Sequence, residues 1–223
     1  MILRQVTSPN FGPRRENARP DLVVIHYTAM ADCAAAERTL CNPELEVSAH
    51  YLISEGGEVI QLVPEDQRAW HAGAGQWGSV TDVNSRSIGI ELSNIGTAPF
   101  AAKQMDALED LLRGIVDRWD VRPERVIGHS DLAPHRKIDP GARFDWNRLA
   151  RQGLAIRAAE TEVATDDLEG DLLNALRNVG YADHPLGVLL PAFRLRHRQR
   201  YDGPADLTDL RLASYLAETY PAL

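Results

Sequence analysis

The sequence predicts an α/β fold, a mixed β-sheet flanked by helices, followed by a small three-helix domain. Three observations carry this expectation. Short β-prone runs surround one long amphipathic stretch in the N-terminal part. A segment poor in large apolar residues interrupts that pattern after residue 155. Beyond it, only helical spacings recur.

The β-prone runs are LVVI at 22–25, HYLI at 50–53, EVIQLV at 58–63, IGIEL at 88–92 and VI at 126–127, several of them bounded by Gly, Pro or Asp. Gly56 and Gly57 lie between the second and third runs, where adjacent glycines can adopt the positive φ angles of a tight hairpin turn. Part of the sheet is therefore expected to be antiparallel. Met105, Leu108, Leu111, Leu112, Ile115, Val116 and Trp119 recur at steps of three and four, which places them on one face of a helix lying across the sheet. A shorter Ala-rich helix around 31–40 should stop near Asn42-Pro43, because the residue before proline is pushed out of the helical region.

The stretch AIRAAETEVATD at 155–166 is poor in core-forming residues and has no hairpin signal. The expected division is a domain at 1–155, a linker at 156–166 and a helical domain at 167–223. In the last, Leu168, Leu172, Leu173 and Leu176 end at Gly180. A second helix runs from Leu186 to about His197 with Leu189, Leu190 and Phe193, and a third from Leu210 to Tyr220 with Ala213, Leu216 and Ala217. Such a short unit closes only a marginal core by itself.

Composition narrows the class. With 44% hydrophobic and 25% charged residues, the chain reads as an ordinary globular protein. The N-terminal MILRQVTSPNFGPRREN has no apolar run of signal-peptide length, and no stretch approaches the ~20 apolar residues of a membrane span, so a cytoplasmic protein with no membrane partner is expected. Cys33 and Cys41 are then expected to be reduced thiols. A formal charge of -8 argues against a nucleic-acid partner. The basic run RLRHRQR at 194–200 reads as the exposed end of the second small helix, its arginines spread around the axis.

The chemistry-bearing residues lie at strand ends. His26 closes LVVI, His129 follows RVIG, and Asp139 comes ten residues after His129 in GHSDLAPHRKIDPG. Two imidazoles and one carboxylate suit a single Zn²⁺ site with one position left for water. Alternation along SIGIELSN turns Ile88, Ile90 and Leu92 to one side and Gly89 and Glu91 to the other, so Glu91 faces a cleft as a general acid/base. Lys137 enters the same cleft, placed to stabilise a negative oxygen. His135, between the ligand positions, reads as a loop residue.

These residues sit in VIHYTAM at 24–30, VSAHYLISEGGEVIQLVPEDQRAWHAG at 47–73, SIGIELSN at 87–94 and VIGHSDLAPHRKIDPG at 126–141. Over roughly residues 8–150 the chain resembles the type 2 N-acetylmuramoyl-L-alanine amidases, the AmpD/AmiD-like zinc amidases. The resemblance implies that His26, His129 and Asp139 bind zinc, that Glu91 is the acid/base and that Lys137 stabilises the transition state. It also places His50, Trp70 and His71 along the substrate cleft. GYADHP, LLPAFRLRH and DGPADLTDLRLASYL resemble a three-helix peptidoglycan-binding domain, expected to assist rather than perform the chemistry. The implied reaction is hydrolysis of the lactyl to L-alanine amide of muropeptides, with 1,6-anhydro fragments of cell-wall recycling as the pool. Two alternatives stand beside it: a non-catalytic peptidoglycan recognition protein on the same fold, and a zinc hydrolase of another amide.

Overall fold

The computed structural model describes residues 2–222. In chain order the strands are β1 (Ile2–Gln5), β2 (Phe11–Pro13), β3 (Leu22–Tyr27), β4 (Tyr51–Ile53), β5 (Glu58–Gln61), β6 (Gln67–Ala69), β7 (Ser87–Leu92) and β8 (Val126–Gly128). The helices are α1 (Cys33–Leu40), α2 (Val83–Arg86), α3 (Ala102–Trp119), α4 (His129–Leu132), α5 (Trp146–Ala150), α6 (Leu168–Val179), α7 (Leu186–His197) and α8 (Leu207–Thr219).

Six strands form one mixed sheet in the order β1-β5-β4-β7-β3-β8. Strands β4, β7, β3 and β8 are mutually parallel, while β5 runs antiparallel to β4 and pairs in parallel with β1. The β4–β5 connection is the hairpin expected at the glycine pair. Gly57 takes φ +86 there, and its N–H donates to the Ser54 carbonyl. The β2–β6 pair makes a separate small sheet.

Strand β3 is apolar from Leu22 to Ile25 because both faces are covered there, as expected for a central parallel strand. Val23 and Ile25 point to the face where Ile88, Ile90 and Leu92 of β7 meet Leu108, Leu111, Leu112 and Ile115 of α3. Leu22 and Val24 point the other way, into a second core shared with Leu172 and Leu176 of α6, Leu189 and Phe193 of α7, and Leu210 and Leu216 of α8. The C-terminal helices thus cover one half of the second sheet face. Helix α1 covers the other half, its Ala36 and Leu40 clustering with Leu52, Ile60 and Leu62. The space between these two covers is where the strand-end residues emerge.

Two features depart from expectation. Strand β1 has no alternating apolar signal, and β2 and β6 are too short and polar to show one. The arginine run is not an exposed helix end. Arg194 pairs with Asp209 at 2.5 Å, Arg196 with Asp131 at 3.2 Å and Arg198 with Asp206 at 2.6 Å, which leaves Arg200 exposed. The carboxylates come from other segments, a partnership invisible in the local sequence. Helix α8 also starts before Leu210, because Asp206 caps it by accepting from the Thr208 and Asp209 N–H groups. Both cysteines are free thiols.

Candidate metal centre and cleft

His26 and Glu91 are direct neighbours in the parallel β3–β7 pairing, so their side chains leave the same face of adjacent strands. His129 begins α4 immediately after β8. All three therefore stand at the carboxyl ends of parallel strands, where an open α/β sheet presents its ligand crevice. Asp139 returns on the loop after α4, its carbonyl accepting from the Ser130 N–H at 2.9 Å.

Three donor atoms converge there. His26 Nδ1 lies 3.0 Å from His129 Nδ1 and 3.0 Å from Asp139 Oδ2, and His129 Nδ1 lies 3.1 Å from the same carboxylate oxygen. All three residues are buried. The surrounding hydrogen bonds decide which ring nitrogens carry protons. Ser87 Oγ–H donates to the Val83 carbonyl at 2.6 Å, so Ser87 Oγ accepts from His71 Nε2–H at 3.1 Å. His71 Nδ1 is then an acceptor, and it takes the His26 Nε2–H at 3.0 Å. A lone pair is left on His26 Nδ1. Burial first, and the neighbouring His129 second, push the His26 pKa down to about 4, so this ring is neutral at pH 7. On His129 the Nε2–H donates to the Ala72 carbonyl at 3.0 Å, which in the neutral ring leaves Nδ1 equally bare. Two imidazole lone pairs and a carboxylate oxygen facing one another in a buried space repel unless a cation lies between them. The donor set therefore fits a metal ion, with an N, N, O complement that leaves coordination positions open.

The local sequence builds this arrangement. Asn84 Oδ1 accepts from the His71 and Ala72 N–H groups at 3.1 and 2.8 Å, which fixes the segment that contacts both histidines. Gly89 faces the His71 ring. A Cβ there would lie 2.4 Å from His71 Cγ, so only glycine lets the ring reach His26.

Glu91 Oε2 is buried with no hydrogen-bond partner. Burial first, and the Asp139 charge second, push its pKa up to about 8, with Lys137 opposing. A carboxyl poised there can take up and return a proton near neutral pH. Lys137 lines the same cleft of about 380 Å³, together with Tyr27, Trp70, His71 and Ile138. A larger groove of about 970 Å³, near Arg143, Trp146 and Arg157, contains none of the cluster. Donor chemistry, rather than volume, identifies the site.

The residues expected along the cleft divide. Trp70 and His71 line it, although His71 is also tied to His26 from behind. His50 does not reach it. It is fully buried, its Nδ1 accepting from the Gly89 N–H at 3.0 Å and its Nε2–H donating to the Gln67 carbonyl at 3.0 Å, so it braces the strands as a structural histidine. Ser87 escaped the sequence reading even though alternation places it on the face of Gly89 and Glu91. His135 is exposed on its loop and its ring lies 4.9 Å from that of His184.

Comparison with known proteins bears on this geometry. Residues 16–142 match the family model described as N-acetylmuramoyl-L-alanine amidase. AmiD of Escherichia coli, an N-acetylmuramoyl-L-alanine amidase, is 37% identical over 91% of this chain and 84% of its own. AmpD of Enterobacter cloacae, a 1,6-anhydro-N-acetylmuramyl-L-alanine amidase, is 36% identical over 66% of this chain and 87% of its own. The structure of E. coli AmiD with anhydro-N-acetylmuramic acid-L-Ala-D-gamma-Glu-L-Lys superposes with a TM-score of 0.83 at 33% identity, covering 94% of this chain and 93% of that one. That of Pseudomonas aeruginosa AmpDh3 with an anhydromuramic pentapeptide gives 0.80 at 32% identity, covering 93% and 95%.

Proposed function

The chain belongs to the N-acetylmuramoyl-L-alanine amidase family, and from that membership we propose that it is a zinc-dependent hydrolase of the lactyl to L-alanine amide in 1,6-anhydro-muropeptides. The observation that carries the reading is the convergence of His26, His129 and Asp139 beside Glu91 at the ends of adjacent parallel strands. The relatives named for, or solved with, anhydromuramyl compounds support the substrate class.

In this reading His26 Nδ1, His129 Nδ1 and Asp139 hold zinc. When bound, the ion supplies Lewis-acid polarisation of the amide carbonyl and acidification of water. Glu91 takes the proton from the attacking water as its oxygen bonds to the lactyl carbonyl carbon. It returns that proton to the alanine nitrogen as the C–N bond breaks, giving a free carboxylic acid and a free amine. Lys137 offers its ammonium to the carbonyl oxygen while negative charge develops there. Trp70 and the exposed face of His71 contact the substrate. The C-terminal helices are read as a peptidoglycan-binding-like domain, on the sequence resemblance of their second and third segments. Recycled wall fragments in the cytoplasm would supply the substrate, and cell fractionation tests that location.

The test is incubation of zinc-loaded protein with a defined anhydro-muropeptide, followed by mass analysis. The expected products are the anhydro-amino sugar acid and a peptide with a free L-alanine amine, together one water heavier than the substrate. Binding without cleavage would make the chain a recognition protein, and cleavage elsewhere in the stem would overturn the bond assignment.

A further inference from the structure

The C-terminal helices do more than cover apolar surface. Asp131, two residues after His129 in α4, is 1% exposed and is held by three donors from two parts of the chain. Its Oδ2 accepts from the Gly128 N–H at 2.8 Å, which caps the start of α4. Its Oδ1 accepts from the Tyr181 hydroxyl at 2.6 Å, and its Oδ2 also from Arg196 Nη1 at 3.2 Å. Tyr181 follows α6 and Arg196 lies in α7, so both come from the helical region. Arg196 donates as well to the Val126 carbonyl in β8 at 2.8 Å, and its guanidinium lies over the Trp146 ring.

The contacts extend to both segments that flank His129. Helix α4 carries the His129 side chain at its first position, and its Ser130 N–H holds the Asp139 carbonyl. The Ala72 carbonyl that fixes the His129 ring lies five residues before Trp77, whose indole meets the Tyr181 ring edge to face at 5.1 Å. The next residue, Gly78, donates its N–H to the Gly180 carbonyl at 2.7 Å. Residues 180 and 181 thus hold α4 through Asp131 and, at Trp77 and Gly78, the segment that follows Ala72.

We propose that the C-terminal three-helix unit is a positioning element of the metal centre: Tyr181 and Arg196, acting through Asp131, fix the helix that presents His129 and anchors Asp139. The proposal rests on the reading of His26, His129 and Asp139 as zinc ligands. A four-residue helix has too few internal hydrogen bonds to hold its own orientation, so a buried carboxylate clamped from both sides sets it. Tyr181 and Arg196 are positioning residues and touch no reacting atom.

The test measures zinc affinity by chelator competition and the visible spectrum of the cobalt-substituted protein, in wild type, Tyr181→Phe and Leu216→Val. Tyr181→Phe removes one hydroxyl and leaves Asp131 Oδ1 without its donor. Loss of an outer-sphere support of this kind should weaken zinc binding about tenfold and shift the cobalt bands. Leu216→Val trims the same helical core without touching Asp131, so it should lower the melting temperature while leaving affinity and spectrum unchanged. If Tyr181→Phe does not fold, Arg196→Lys replaces it, since an ammonium cannot hold both Asp131 and the Val126 carbonyl in this geometry. Wild-type affinity and spectrum in the folded variant, or equal shifts in the Leu216→Val control, would overturn the proposal alone. Failure of the wild type itself to take up zinc would overturn the metal reading and this proposal together.

Discussion

Replacing Ser87 by Ala tests whether the hydrogen-bond chain behind His26 governs metal binding. The substitution removes one oxygen, which accepts from His71 and donates to the Val83 carbonyl. His71 Nε2–H then has no acceptor in a buried position, which costs about 1–3 kcal/mol. The ring can escape by moving its proton to Nδ1, but that nitrogen faces His26 Nε2–H at 3.0 Å. Two donors would oppose each other, and relief would come only if His26 moved its own proton to Nδ1, the atom that faces the cluster. The second route places a proton on the atom that would bind the metal and so stabilises the metal-free protein against binding. Loss of an outer-sphere support costs roughly 10- to 100-fold in metal affinity, or about 1.4–2.7 kcal/mol. Zinc competition with a chromophoric chelator reads the change directly, with circular dichroism to confirm the fold. His71→Leu should weaken binding at least as much, whereas His71→Asn restores an acceptor and should recover part of it. A folded Ser87→Ala protein that binds zinc within about twofold of wild type would refute the proton assignment through His71.

Other outcomes follow from the same geometry. His26→Ala, His129→Ala and Asp139→Ala should each lose zinc and activity together, as metal analysis beside a turnover assay would show, because each vacates one of three protein ligands. Glu91→Gln and Lys137→Ala should keep stoichiometric zinc and lose about 10²-fold or more in kcat, measured on a defined muropeptide. The metal-free protein gives a pH test of Glu91. Its folded-state pKa of about 8 lies well above the ordinary glutamate value of 4.5, so the fold favours the protonated carboxyl. The stability this retains is full below the unfolded value and is lost as pH rises towards about 8. Thermal melts should therefore show Glu91→Gln gaining on wild type as pH climbs through that window, and an unchanging difference would contradict the buried carboxyl.

The sequence makes some of this legible for physical reasons that its other parts lack. The periodicity of α3 works because one face of a long helix meets one sheet, and Met105, Leu108, Leu111, Leu112 and Ile115 are all buried as that spacing requires. The same alternation that turns Ile88 and Ile90 into the α3 core sends Gly89 and Glu91 to the cleft. His26, His129 and Asp139 are separated by up to 113 residues, yet both histidines stand at or just beyond a recognisable strand end and Asp139 follows His129 in one motif, which is why they can be read together. Contacts whose partners are distant and whose local pattern is silent could not be read. Asp131 looks like an ordinary cap, and nothing near it announces Tyr181 or Arg196. His50 and His71 share the same motif stretch, and only burial separates a brace from a cleft residue.

Removing residues 167–223 is the perturbation on which sequence and structure differ most. A separate accessory domain would detach cleanly, leaving a folded catalytic unit that turns over small muropeptides. The helices instead complete a core that begins in the sheet. Leu22, Val24 and Ile127 are each 0% exposed, in one cluster with Leu172, Leu176, Leu189 and Phe193. Burying an aliphatic side chain is worth about 1.5–3 kcal/mol, so full exposure of those three sheet residues would forfeit about 5–9 kcal/mol, an upper bound because Trp77, Val83 and Leu132 of the same cluster remain. Arg196 and Tyr181 would leave with them, and the Asp131 carboxylate would lose two of its three donors. In the present chain the truncated protein should be insoluble or melt without cooperativity and should bind zinc poorly, as a thermal melt and metal analysis of the refolded fragment would show. A truncated protein that is soluble, zinc-loaded and within a few degrees of the full-length melting temperature would show that the helices are an appendage and that the sheet face closes without them.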